Sequence, residues 1–170
     1  MDFLELAKNR YSCRSFSNQE VSQELMDKII AAGISAPTGL NKQPYKLFVL
    51  DSPEAKAVLR QATPFTYGAD RFIVVGCDRS AAWVRGFDQK NFADVDGSIV
   101  ATHLMMEIAD LGLATTWVGH FDAPMLQERF PQMKNYDLIA VFPIGYPAED
   151  GTPSDKHFMR NSRDEMVELL

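Results

Sequence analysis

The chain has 170 residues, 46% of them hydrophobic and 24% charged, with a formal net charge of −6 and a pI near 5.0. That length predicts one domain with a sizeable core, about 70% of the unfolded chain's surface being buried at this size. The acidic balance argues against a nucleic-acid partner, because neutralising phosphates takes surplus Lys and Arg; no apolar run reaches the ~18 residues of a membrane-spanning helix.

In chain order, residues 2–9 read as a short helix with Phe3, Leu4, Leu6 and Ala7 apolar. Ser17 or Asn18 is a candidate cap for the second helix. Val21, Leu25, Met26, Ile29, Ile30 and Ile34 recur at helical spacing, so that helix is expected from Ser22 to Ser35. Pro37 stops it. Lys46 to Asp51 reads as a strand, and Pro53 is suited to the first position of a helix to Ala62. Arg71 to Cys77 is an unbroken apolar run, hence a central strand.

Residues 78–94 are polar and aromatic, with no assigned element. Val95, Ile99, Val100, Leu104, Met105, Ile108 and Leu111 mark a long central helix, with Asp94 or Asp96 near its start and Gly112 at its C-cap. Ala114 to Gly119 is the third expected strand. Asp122 caps a short helix through Phe130. Asp137 to Tyr146 is the fourth strand, with Pro143 expected to place a bulge or an edge in it. From about residue 148 the chain is a polar arm with an apolar end (Met166, Val167, Leu169, Leu170). Such an arm either packs on another subunit or folds back on its own.

Two cysteines, Cys13 and Cys77, lack metal-site or disulfide-framework spacing and predict a reduced, cytoplasmic setting. The start Met-Asp-Phe-Leu-Glu lacks the basic and apolar regions of a signal peptide. Charge is uneven along the chain. Residues 6–19 hold no acid but include Lys8, Arg10 and Arg14, and residues 28–50 hold no acid but include Lys28, Lys42 and Lys46. These windows suit a local positive field for a small anion.

Three groups are candidates for chemistry. Arg10, Ser12 and Arg14 fall on one side of an extended segment, and two guanidinium forks with a hydroxyl suit a phosphate. The alternative is a solvated loop. The Pro37-to-Pro44 loop carries Asn41 and Gln43, each a donor and an acceptor for the mixed edge of a heterocycle; the alternative is a plain helix-stopping turn. Trp117, Val118 and Gly119 lie at a strand end, where a glycine lets backbone approach a ligand; the alternative is a packed strand edge. His120 is a candidate general acid, whereas His103 and His157 lack metal-site spacing. With no nucleophile elbow, Walker loop, His-Glu-x-x-His or Gly-x-Gly-x-x-Gly, catalysis would fall to a borrowed cofactor.

Four stretches, in order, resemble the FMN-dependent nitroreductase family: Arg10 to Phe16, Ala36 to Tyr45, Asp96 through Gly119, and Pro143 to Pro147 with Arg160 beyond it. The resemblance implies an α+β fold, with a mixed, mostly antiparallel central sheet sandwiched by helices. It implies one FMN-binding domain over residues 1–170, ending in the arm. It also implies an obligate homodimer with FMN at the subunit interface and NADH or NADPH as reductant. Arg10, Ser12 and Arg14 would hold the phosphate end, joined by Arg160. Pro37, Thr38, Gly39 and Asn41 would approach the flavin from the other subunit, and the backbone of Trp117, Val118 and Gly119 would face the ring near N5.

The activity implied is ping-pong hydride transfer through N5 to a nitroaromatic, quinone or similar electron-poor acceptor, with no catalytic side chain. The alternatives are another redox task on the same scaffold, such as reductive dehalogenation, enone reduction or flavin breakdown, or a flavin-binding module without turnover. This chain departs from the family pattern in three places. Phe158 stands where many members carry Lys, with Lys156 or His157 as substitutes, and Tyr45 stands where Trp is common. The brief segment between Arg71 and Asp96 predicts a reduced or missing helical excursion over the substrate, hence an open site.

Overall fold

In the computed structural model, which describes residues 2–170, four strands form one sheet: β1 (Tyr45–Val49), β2 (Arg71–Cys77), β3 (Ala114–Thr115) and β4 (Asp137–Gly145). The described helices are α1 (Phe3–Asn9), α2 (Gln23–Ile34), α3 (Pro53–Ala62), α4 (Ala93–Asp110), α5 (Ala123–Arg129) and α6 (Arg163–Met166). The strand order is β1-β2-β4-β3, with every strand pair antiparallel. One parallel bridge, Ser12 to Thr115, extends the β3 edge.

Helices cover both faces of the sheet, which is why β2 has no polar face. Phe72 and Val74 point to the layer containing Leu59 of α3 and Leu126 of α5. Ile73 and Val75 point to the opposite layer, with Met26 and Ile29 of α2 and Leu104 and Ile108 of α4. The alternation is that of any strand, but here both sides are apolar because both are buried.

Local signals account for most boundaries. Ser52 accepts the Ala55 N–H, and Pro53 opens α3. Asp122 accepts the Met125 N–H at the start of α5. The cap of α2 is Ser22, which accepts the Leu25 N–H, rather than Ser17 or Asn18. Ser17 is instead occupied by the Gln19 N–H at 3.3 Å. Helix α4 closes with the Gly112 N–H bonded to Ala109 O and the Leu113 N–H to Ile108 O. Gly112 takes φ +74° just past the helix, the left-handed position where glycine is favoured.

The third strand is shorter than expected. The register that pairs Ala114 with Gly145 and Thr115 with Ile144 resumes only at Val118 and Val141. Between them, Thr116 faces Pro143, which has no N–H to donate, and the ladder opens there. Thr115 Oγ1 donates to the Pro143 carbonyl at 2.7 Å. Pro143 is not the bulge. Val75 pairs with Ala140 and Gly76 with Leu138, so the extra residue on β4 is Ile139.

Cys77 ends β2 against α4, where a Cβ on Gly97 would stand 2.8 Å from its Sγ. Burial, then the charges of Asp96, Asp94 and Asp137, push the Cys77 thiol up from 9.0 to about 12. A raised folded pKa gives stability that is complete below the unfolded value. It is lost as pH rises from about 9 through about 12, since only the unfolded chain ionises in that window. Unfolding temperature should therefore fall across that range by more than in Cys77→Ala. Native Cys77 should also resist alkylation at pH 8, which mass spectrometry checks.

Beyond Pro147 the chain first holds to the body. The Ser15 hydroxyl donates to Asp150 Oδ1 at 2.7 Å, and the Tyr11 hydroxyl to the Gly151 carbonyl. After that, Phe158, Met159, Met166 and Leu169 are all exposed.

Candidate functional site

The candidate groups fall at two places. The first is the β3 edge. Extended backbone after α1 runs alongside β3, with the Cys13 N–H donating to Thr115 O at 3.0 Å. Cys13 is buried, and its thiol and the Tyr11 hydroxyl both reach the Gly151 carbonyl. Arg10, Ser12 and Arg14 alternate with them along the segment, and Arg10 and Tyr11 both line a cleft with Ala109 and Gly112. Arg14 Nη1 donates to the Ser12 carbonyl at 3.2 Å.

The electrostatics of this edge are unusual. Partial burial, then the positive charge of Arg160, holds the Arg10 guanidinium below its ordinary pKa. Among the described residues, no carboxylate forms an ion pair with Arg10, Arg14 or Arg160. Arg160 instead donates to the carbonyls of His157 and Met159. A groove of about 600 Å³ beside them is lined by Lys8, Tyr11, Pro153, His157, Phe158 and Arg160. Lys8 and Tyr11 are additions to the site residues expected from the sequence, although Lys8 lies in the first acid-free window.

The same edge carries Trp117, Val118 and Gly119. Trp117 is partly exposed and meets the buried Phe142 ring edge-on at 5.4 Å. Val118 is buried, and a Cβ on Gly119 would meet nothing within 4 Å. This chain's own packing therefore does not require a glycine at 119. The buried Thr63 hydroxyl donates to His120 O at 2.7 Å, and the His120 ring packs on Phe65 at 5.6 Å. His103 Nδ1 lies 2.9 Å from Ile99 O within α4. No group of acids, histidines and cysteines suited to a metal occurs among the described residues.

The second place is the loop after α2. Pro37 and Asn41 are exposed, while Thr38 and Gly39 are half-buried. Leu40, Asn41 and Gln43 have φ of 51°, 53° and 50°. Three non-glycine residues in the left-handed region within four positions are costly, and such strain persists only where the surroundings impose it. The Gln43 N–H donates to Thr38 Oγ1 at 3.0 Å, and Gln43 Nε2 to Asn41 O at 3.1 Å. The Gly39 N–H donates to Oδ1 of Asp96 on α4 at 2.9 Å. Trp83 closes the other side, since a Cβ on Gly39 would lie 3.0 Å from Trp83 Cβ.

These two places are not brought together within one chain. The loop bonds to Asp96 near the start of α4, whereas Arg10 shares a cleft with Ala109 and Gly112 near its end. Residues 96 and 109 are about 20 Å apart along a helix rising ~1.5 Å per residue. Along this length α4 leaves Ile99, His103 and Met106 only partly covered, as it does Val95 just before Asp96. In the sequence Asp96 reads only as a helix-start acid. Its burial and its bond to Gly39 are tertiary features with no local signal.

The description of the Nitroreductase family matches residues 7–64, which include Arg10, Ser12, Arg14 and the loop after α2. A solved structure of a nitroreductase family protein from Clostridium difficile 630 is 36% identical, with a TM-score of 0.91, covering 99% of this chain and 98% of that one. A Methanothermobacter thermautotrophicus protein, provisionally named NADH dehydrogenase/NAD(P)H nitroreductase, is 29% identical over 160 residues, 88% of this chain and 80% of that one. An Exiguobacterium sibiricum 255-15 protein solved in complex with FMN matches at a TM-score of 0.85, covering 100% of this chain and 98% of that one; at 22% identity it supports the fold alone. By its matched motifs, its architecture and its likeness to the Clostridium structure over almost its whole length, the chain belongs to the nitroreductase family.

Proposed function

We propose that this chain is a single-domain, FMN-dependent NAD(P)H oxidoreductase. It works as a cytoplasmic homodimer that reduces nitroaromatic, quinone or similar electron-poor acceptors. The observation that carries the reading is an edge where Arg10, Ser12 and Arg14 lie on one segment along β3 and where, among the described residues, no carboxylate pairs with Arg10, Arg14 or Arg160. Guanidiniums without a carboxylate partner are free to make charge-assisted hydrogen bonds to a phosphate.

The donor set fits FMN. Arg10, Ser12, Arg14 and Arg160 would hold its phosphate. The open space at Gly119 would admit the ring beside the backbone of Trp117 and Val118. Pro37, Thr38, Gly39 and Asn41 would come from the second subunit, because in one chain they lie at the far end of α4. A two-fold axis setting two α4 helices antiparallel would bring each loop to the other chain's arginine edge, and it would cover Val95, Ile99 and Met106 as well. The exposed Phe158, Met159, Met166 and Leu169 of the arm would pack on the same partner. The relative named NAD(P)H nitroreductase motivates the reductant.

When bound, FMN supplies two-electron transfer between a nicotinamide and an acceptor. The protein's share is position and charge. The arginines anchor the cofactor, Trp117 held by Phe142 stiffens the wall beside Gly119, and backbone N–H groups contribute there without a titrating side chain.

Anaerobic mixing tests the reading. The purified protein should be yellow, be bleached by NADH or NADPH, and recover its colour on addition of a nitroaromatic or quinone. A yellow protein bleached by neither nucleotide is instead a flavin-binding module or a same-scaffold enzyme with another donor. A protein that binds no FMN sinks the proposal.

A further inference from the structure

Asp96 is 1% exposed, on the first turns of α4. One carboxylate oxygen accepts the Gly39 N–H at 2.9 Å, and the other, Oδ2, is buried with no hydrogen-bond partner among the described residues. A buried, half-paired carboxylate is expensive, and a fold selected for stability alone would place Asn or an apolar side chain there. Favouring the helix N-terminus does not explain it, since Asp94 in the same turn is exposed and serves that purpose in water. What Asp96 alone does is hold the Gly39 amide. Gly39 leads directly into Leu40 and Asn41 at positive φ, and Trp83 packs close to it, a Cβ on Gly39 lying 3.0 Å from Trp83 Cβ.

We infer that Asp96 is the positioning residue of the cofactor site. Its buried carboxylate clamps the Gly39 N–H and thereby fixes the left-handed Leu40–Asn41 backbone that presents the loop to the flavin. The ligand in this inference rests on the FMN reading, but the clamp itself does not. Asp96 touches neither cofactor nor substrate; it acts through Gly39.

The test compares Asp96→Ala and Asp96→Asn with the parent in three measurements: amide exchange at Gly39 to Gln43 without FMN, FMN affinity, and unfolding temperature without FMN. Loss of a charge-assisted acceptor predicts Gly39 exchange at least ~10-fold faster in Asp96→Ala and FMN affinity weaker by about 10- to 100-fold. Unfolding temperature should stay level or rise, because a costly buried charge is gone. Asp96→Asn keeps an acceptor oxygen and should restore both exchange and affinity to within about 3-fold of the parent.

Unchanged Gly39 protection in Asp96→Ala overturns the inference. So does a fall in apo stability that parallels the loss of FMN in both variants, which would make Asp96 merely structural. If Asp96→Ala does not fold, Asp96→Leu, which fills the site without an acceptor, takes its place: faster Gly39 exchange and weaker FMN binding than in Asp96→Asn support the clamp, and exchange equal to that of Asp96→Asn overturns it. A parent protein that binds no FMN refutes the functional reading, while Gly39 exchange still reports on the clamp.

Discussion

Replacing both Arg10 and Arg14 with Ala should weaken FMN binding by about 10²- to 10⁴-fold, since each charge-assisted hydrogen bond lost is worth roughly 1.5–3 kcal/mol. The same substitutions should leave the unfolding temperature of the FMN-free protein level or slightly raised. Neither arginine makes an ion pair among the described residues, and Arg10 is partly buried, which disfavours its charge. Opposite signs for affinity and apo stability mark a ligand site rather than a structural one. Isothermal titration and a thermal melt read the two quantities separately. Parent-like FMN affinity would show that the phosphate is held elsewhere.

The second large effect is in the core. Phe142 is fully buried on β4, and its ring meets Trp117 edge-on at 5.4 Å. Phe142→Ala should cost about 3–5 kcal/mol, the usual loss for a buried aromatic truncated to Ala. For a chain of this size that is a fall in unfolding temperature of roughly 6–20 °C. It should also loosen Trp117 and so weaken flavin binding at temperatures where the protein is still folded. Phe142→Leu retains most of the volume and should cost under ~1.5 kcal/mol. Circular dichroism melts of the two variants check the ratio. A loss in Phe142→Ala no larger than in Phe142→Leu would mean that the site collapses around the gap.

Elements encoded within a few residues are legible in the sequence. Pro53 after Ser52, the run Phe72 to Cys77, and the spacing of Val100, Leu104 and Ile108 each declare an element locally, and each element lies where the sequence places it. Features set by contacts distant in the chain are less legible. The cap of α2 lies at Ser22 because Ser17 is turned to Gln19. The third strand stops at Thr115 because a proline on a neighbouring strand faces Thr116, and no window around residue 116 contains that proline. The bulge at Ile139 is a matter of register between β2 and β4, invisible in either strand alone.

The candidate site divides in the same way. Arg10, Ser12 and Arg14 stand out by residue type and alternation, whereas Arg160 lies far along the chain and has no such local pattern. The loop after α2 is legible as a breaker-rich turn, but its backbone is not. Leu40 and Gln43 have no intrinsic reason to adopt positive φ; Thr38, Trp83 and Asp96 surround that geometry. The segment between β2 and α4, for which the sequence predicts no element, contains a tight bridge from Val84 to Asn91. It is held by Trp83 packing on Phe92 at 4.7 Å and by Arg85 over the Phe92 ring. The stretch from 78 to 92 itself contains no helix.

On the proposed reading the FMN site takes its loop and its arginine edge from different chains, since residues 96 and 109, beside which the two lie, are about 20 Å apart along α4. A mixed dimer tests this directly. One chain carries Arg10→Ala and Arg14→Ala, and the other carries Asn41→Trp to obstruct the loop. Each homodimer should bind no FMN at concentrations that saturate the parent. The purified mixed dimer should bind one, because one of its two sites joins an intact arginine edge from one chain to an intact loop from the other. A mixed dimer that binds none, or an Asn41→Trp homodimer that binds FMN like the parent, would contradict a site shared between subunits.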